Sequence, residues 1–221
     1  MALIDRLYNA DYKKNLDFSR SELDAIIIAA KDSNIQDIVT EIIVPDDCSI
    51  FHTSGTQPMK ILENSAAEHY GVLYPLQTFT KGHRVNFKET SFFLEANGEH
   101  AFRILRNLIK NISKNVYKIS SEQRNILHLC AVIASNFSNH MFTIAKSLMD
   151  DHNMDFKLLE NIVLSTFKKA FDIGPEYGQT GPAVRQDYET LEKHIKLLKG
   201  DRELQKLYKL ISEHIIKTHN A

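Results

Sequence analysis

Three stretches of this chain place residue types at spacings that could do chemistry. The segment "HLCAVIASNFSNH" (128–140) carries His128, Ser135, Asn136 and Asn139 in a run of helical periodicity. At about 100° per residue, Ser135 and Asn139 fall within roughly 20° of His128 and Asn136 about 80° away, giving one broad polar flank. Histidine is the side chain whose ordinary titration lies nearest neutrality, which suits a proton donor, and asparagine amides can orient a carbonyl or hydroxyl oxygen. The same groups would also serve as hydrogen-bonded polar members of a core. His128, Cys130 and His140 make no metal set, because Cys130 stands about 160° from His128 around the helix axis.

The second stretch, "HTSGT" (52–56), ends a strand-like run and contains Gly55, the first glycine in the chain. At the carboxyl end of a parallel strand, Thr53, Ser54 and Gly55 would face the crevice in which nucleotides bind. An ordinary turn uses the same residues. The third stretch, "GPEYGQTGPAVRQD" (174–187), holds three of the eight glycines and two of the five prolines, with Arg185 and Asp187 two residues apart. A stiff turn carrying an arginine can hold a carboxylate or phosphate in a bidentate fork, and it can equally be a plain interhelical loop.

The elements that must position these residues follow from pattern. Up to about residue 119, short runs rich in β-branched or aromatic types alternate with helical segments: "AIIIAA" (25–30), "SIFHT" (49–53), "GVLYPL" (71–76), "SFFLEA" (91–96) and "NVYKI" (115–119). Between them, "PMKILENSAAEH" and "EHAFRILRNLIKNI" have apolar residues at helical spacing, the second with Phe102, Leu105, Leu108 and Ile109 on one side. Strands alternating with helices imply crossover units and a largely parallel sheet. Ser120 and Gln123 then form a capping-box pattern opening a run to about Asp150 without Gly or Pro. Its segment "ILHLCAVIA" is apolar on all sides, which predicts a helix buried all round, the spine of a second, helical domain. Further helices are expected over 155–172, 187–199 and 201–217. The chain is thus expected to be α/β plus all-α, with domains at 1–119 and 120–221.

Composition narrows the function classes. Of 221 residues, 43% are hydrophobic and 25% charged, the formal net charge is −1 and the isoelectric point is near 6.8. That balance argues against a grip on nucleic acid or an anionic membrane through many phosphate contacts, and favours a small-molecule partner. Two cysteines, Cys48 and Cys130, suggest neither a disulfide framework nor a zinc site. The start "MALIDRLYNADYKKNLD" lacks the features of a signal peptide and no run is long enough to span a membrane, so a cytoplasmic protein is expected.

Taken in order, "DAIIIAAKDSNI", "HTSGT", "GVLYPLQTF", "SSEQRNILHLCAVIASNFSNHM" and "GQTGPAVRQD" resemble one bacterial family over about residues 9–217. It is the Rossmann-like NAD(P) oxidoreductase family with an uncharacterised helical C-terminal domain, related to pyrroline-5-carboxylate reductase and the deazaflavin-dependent NADP oxidoreductases. The resemblance implies an incomplete Rossmann-like parallel sheet followed by a helical domain like the C-terminal part of 6-phosphogluconate dehydrogenases. It also implies NADP or NAD as cofactor, a substrate cleft between the domains, and a homodimer built on the helices. In that family a first strand, a glycine-rich turn and a second strand precede the segment matched here, so the chain reads as N-terminally truncated, its cofactor site incomplete without the glycine-rich turn that holds pyrophosphate.

By position, the resemblance puts Ala30, Lys31 and Asp32, with Thr53, Ser54 and Gly55, on the nicotinamide side. It puts Tyr74, Gln77, Thr180 and Arg185 on the substrate side, and makes His128, Asn136 and Asn139 the candidate catalytic set, with no metal. The expected activity is reduction of a small carbonyl or imine acid, ketopantoate-like acids being one class. The rival expectation is a non-catalytic dimeric module that keeps the substrate cleft and has lost the cofactor fingerprint.

Overall fold

A computed structural model describes residues 16–80 and 82–219 of the chain. Five strands form one sheet in sequential order: β1 (Ala25–Ile28), β2 (Ser49–His52), β3 (Tyr70–Leu76), β4 (Ser91–Ala96) and β5 (Val116–Lys118). β1, β2 and β3 run parallel, β3 and β4 pair antiparallel, and β4 and β5 are again parallel. This is a Rossmann-like α/β sheet, followed by helices. The parallel pairs need crossovers, supplied by α1 (Asp32–Glu41) between β1 and β2, a 3-10 helix (Met59–Ser65) between β2 and β3, and α2 (Glu99–Ile109) between β4 and β5. The helical spacing of "PMKILENS" resolves as that tighter helix, ending at Ala66 in the left-handed region (φ 58°).

Alternation along the strands sorts side chains to two faces. Ile26, Ile28 and Ile50 pack with Ile35, Ile38 and Val39 of α1 and with Leu62. Ala25, Phe51, Leu73, Phe92 and Leu94 pack on the other face with Ala101, Leu105 and Ile109 of α2. Of the stripe expected on α2, Leu105 and Ile109 are buried, whereas Phe102 and Leu108 sit at the margin and Ala101 takes an inner position. Gly71 is required where β3 meets β4, because a Cβ there would stand 2.2 Å from the Glu95 carbonyl oxygen.

The long helical run begins as the capping box predicts. The Ser120 Oγ accepts from the Gln123 backbone N–H, and the Gln123 side chain accepts from the Ser120 N–H. The run comprises α3 (Ser121–Ala131), a π-helical stretch (Val132–Phe137) and α4 (Ser138–Asp150). The expectation of a helix buried all round is overturned: Ile126, Leu129, Ile133 and Phe137 are 52–59% exposed in the single chain. An apolar circumference shows that a helix needs cover, but the cover need not come from its own chain. After α4 come a 3-10 turn (Phe156–Leu159), α5 (Glu160–Asp172), the single turn α6 (Pro175–Gly178), α7 (Tyr188–Leu197) and α8 (Arg202–His219).

The chain divides into two compact units, Met1–Met141 and Phe142–Ala221. The dividing point lies inside α4, while the boundary expected from sequence, 119/120, marks the capped start of the helical run. In the second unit, α7 and α8 are joined by His194 Nδ1 and the Tyr208 hydroxyl at 2.7 Å and by the Gln205 amide donating to the Ile195 carbonyl. No helix among the described residues is long and apolar enough to cross a membrane.

Candidate functional site

The carboxyl ends of β1 and β2 open into two turns that the structure ties together. The first, Ala30 and Lys31, leads into α1, whose first residue is Asp32. The second runs from Thr53 to Gln57. Thr56 Oγ1 donates to Asp32 Oδ2 at 2.6 Å, and the Gln57 amide donates to the Asp32 carbonyl at 3.3 Å. Ser54 is buried, and its hydroxyl oxygen accepts from the N–H groups of Thr56 and Gln57, which shapes the turn. The six residues expected on the nicotinamide side therefore occupy two linked turns on one edge of the sheet. Lys31 and Asp32 are exposed there, and Ala30 packs at the edge of the core.

Helix α3 closes on the second turn. Arg124 is wholly buried, and its guanidinium donates to the carbonyls of Ser54 and Gln57, both at 2.8 Å. The same group meets Glu95 Oε2 at 3.3 Å and the Ser121 hydroxyl at 3.1 Å, and Ser121 in turn donates to the Glu95 carboxylate. The Asn125 amide, oriented so that its nitrogen donates, reaches the carbonyls of Gly55 at 3.3 Å and Thr56 at 3.0 Å. One turn of helix thus holds four backbone carbonyls of the segment 54–57, and a planar, permanently charged fork is what such a cluster demands.

One turn further along α3, His128 rests against Gly55. A Cβ on residue 55 would stand 2.5 Å from His128 Nδ1 and 3.1 Å from the Tyr74 ring, so only glycine lets the imidazole seat there. Tyr74, buried on β3, brings its hydroxyl to 3.1 Å from His128 Nδ1. Burial pushes the Tyr74 phenol above its ordinary value, against the opposing pull of Arg124, so the hydroxyl keeps its proton at neutral pH. Phe93, opposite Tyr74 on β4, backs its ring at 6.3 Å.

Beneath the turn lies His52, fully buried, whose Nδ1 accepts from the Ser54 N–H. Burial first, then the Arg124 charge, lowers its pKa to about 4, so its ring is neutral under ordinary conditions.

The other expected residues fall elsewhere. Gln77 is exposed on the β3–β4 loop, its amide engaged with Thr78 and Thr90. Asn136 lies exposed in the π stretch, and Asn139 follows it at the start of α4. A π turn takes more residues than an α turn, so the angular offsets of Asn136 and Asn139 from His128 depart from those of a regular α-helix; such bulges recur at functional sites. Thr180 and Arg185 belong to the second unit, on a turn in which Gly181 (φ 110°) and Gln186 (φ 55°) take left-handed conformations. Asp187, two residues past Arg185, caps α7: its carboxylate accepts from the backbone N–H and hydroxyl of Thr190, which hold it below the usual carboxylate range. Arg185 itself is exposed. No cluster among the described residues could hold a metal ion.

Arg124, Asn125, Glu95 and His52 escape a reading by sequence. Arg124 and Asn125 stand among helix-surface residues, and their partners in 54–57 lie far away along the chain. The one available signal is the spacing of Arg124 and His128, four apart and so on one face.

A Rossmann-like sheet with a helix closing on the turn after β2, continued by a helical C-terminal part, is the architecture of dinucleotide-dependent oxidoreductases. The chain belongs to the family described as "Domain of unknown function (DUF2520)", whose model matches residues 90–215. Among solved structures, a Bacteroides fragilis protein assigned as an NADP oxidoreductase is 34% identical, with a TM-score of 0.86 over 95% of this chain and 80% of that one. A protein from Thermotoga maritima shares the fold at 20% identity, with a TM-score of 0.74 over 90% of this chain and 80% of its own. A Mycobacterium avium protein assigned as an oxidoreductase shares the fold more distantly, at 14% identity and a TM-score of 0.50, over 86% and 76% of the two chains. No curated protein matches.

Proposed function

We propose that the protein is an NAD(P)-dependent oxidoreductase that reduces a small carbonyl or imine acid, working as a cytoplasmic homodimer. The observation that carries this reading is the seating of His128 on Gly55, at the carboxyl end of β2, with Tyr74 at its Nδ1. That edge of a parallel sheet is where a nicotinamide ring lies in this fold class. The Bacteroides fragilis relative, named for NADP, favours NADP over NAD.

The fit to the cofactor is one-sided. The linked turns at Ala30–Asp32 and Thr53–Gly55 present backbone and hydroxyl groups suited to the nicotinamide end. The first glycine of the chain is Gly55, so no glycine-rich turn for pyrophosphate stands ahead of β1 in these residues. The bound nicotinamide supplies the hydride. His128 supplies the proton as an imidazolium: its Nε2–H passes to the substrate oxygen or nitrogen as charge develops there, and the neutral ring that remains keeps its Nδ1–H on the Tyr74 hydroxyl oxygen. Asn136 and Asn139 orient the substrate, Tyr74 holds the imidazole in one tautomer, and Gln77 binds the substrate.

The test is turnover of a panel of small 2-oxo acids and cyclic imine acids, followed by loss of reduced-nicotinamide absorbance. One class should react, and His128→Ala should lower the rate by about 10²- to 10⁴-fold. Saturable binding of these acids without turnover would replace the enzyme by a binding module.

A further inference from the structure

A second, unassigned site lies in the first unit on the opposite face of the sheet from α3. Two adjoining cavities of about 360 Å³ each run along α2 and the edge strand β5, sharing Phe102, Arg106 and Lys110. Arg103 extends the first cavity, and Lys114 and Lys118 extend the second. Five cations thus border one groove in a chain whose formal net charge is −1. Among the described residues none of the five is in an ion pair. Lys118 Nζ lies 5.3 Å from the centre of the Phe102 ring, and Lys110 Nζ donates to the Asn107 side chain.

Lysines on an edge strand can serve only to discourage strand pairing. That explains Lys118 on β5 but not Arg103 and Arg106 on α2, Lys110 at its C-cap or Lys114 in the connection to β5, which line the two cavities. Cations gathered along a cleft focus the field within it and attract anions. Arginine forks match phosphate oxygens two at a time, and each cavity is within the size range of small-ligand sites. The groove is also bounded. Glu99 lines its end at the start of α2, ten residues or about 15 Å from Ile109, so a continuing polyanion would run onto a carboxylate.

From these features we infer that the α2–β5 groove binds a short linear oligophosphate, three phosphates or so in length, carried by a nucleoside triphosphate or by inorganic tripolyphosphate. The site shares no residue with the His128 site and stands or falls independently of the proposed reaction.

Calorimetric titration of the full chain with ATP, inorganic tripolyphosphate and a twelve-nucleotide oligothymidylate at low salt tests it. Saturable binding of ATP or tripolyphosphate is expected, weakening at least fivefold as salt is raised to physiological strength. The double variant R106E/K110E should bind at least tenfold more weakly with an unchanged melting temperature, and Lys193→Ala, an exposed lysine of α7, should bind as the parent does. ATP binding well above tripolyphosphate assigns the site to the nucleotide, and equal or weaker ATP binding assigns it to the inorganic chain. No saturable binding of either at millimolar concentration, binding that R106E/K110E leaves intact, or tighter binding of the oligonucleotide than of both would overturn the inference.

Discussion

His128 sits where the side chain of residue 55 would otherwise be: a Cβ on Gly55 would lie 2.5 Å from its Nδ1 and 2.8 Å from its Cγ. The contact is between a loop backbone and a ring that can turn, so an added methyl displaces the ring rather than the sheet. Gly55→Ala should cost about 1–3 kcal/mol in stability. It should also break the Tyr74–His128 hydrogen bond, seen as a change in the imidazole nitrogen shifts of His128 by NMR. Tyr74→Phe should produce the same spectroscopic change. Unchanged His128 shifts in both variants would mean that the pair does not set the tautomer.

Among the described residues, Arg124 is the charged group that ties α3 to the segment 54–57, and Glu95 balances it. Removing one partner of a buried pair strands the other, so Arg124→Met should destabilise by about 3–5 kcal/mol in urea unfolding. A loss under about 1 kcal/mol would show that the surrounding carbonyls find other donors.

His52 gives the fold a pH signature. Its folded pKa of about 4 lies below the ordinary value of 6.5. The unfolded chain therefore takes up a proton that the folded chain refuses, and the stability due to the neutral ring is present above pH 6.5 and lost as pH falls toward 4. The full loss is about 3 kcal/mol. Comparing the parent with His52→Gln between pH 7 and pH 5, above most carboxylate titration, isolates it. The parent's stability should fall more steeply than the variant's, and parallel curves would count against a buried neutral His52.

The strands were legible because each is a short β-branched or aromatic run with polar or glycine boundaries, and every one lies within the segment read from sequence or one residue beyond it. The capping box at Ser120 was legible for the same reason, its geometry being local. Arg124 was not, because the burial of a charge depends on Glu95 and on carbonyls of Ser54 and Gln57, all remote in sequence. The π stretch was not, because a run such as Val132–Phe137 has no residue that forbids a regular α-helix. The exposure of Ile133 and Phe137 was not, because periodicity reports an apolar surface and leaves open which chain covers it.

That exposure carries a prediction of its own. Leu158, Ile162, Phe171 and Leu197 are 65–89% exposed in the single chain, and each such side chain is worth about 1.5–3 kcal/mol when fully buried. Sedimentation equilibrium at tens of micromolar should show a dimer. Substituting Glu at Ile162 and Phe171 together should shift it to monomer, and a clean monomer for the parent would refute the assembly.

The central claim is that the edge formed by the turns after β1 and β2, closed by His128, receives a nicotinamide ring. Saturation-transfer NMR of the 221-residue chain with NADPH at millimolar concentration tests it directly. The account predicts weak binding, since no glycine-rich turn precedes β1 in these residues, with the strongest transfer to the nicotinamide protons and its loss in Gly55→Val. Transfer confined to the adenine protons, or a nicotinamide signal that Gly55→Val leaves untouched, would contradict it.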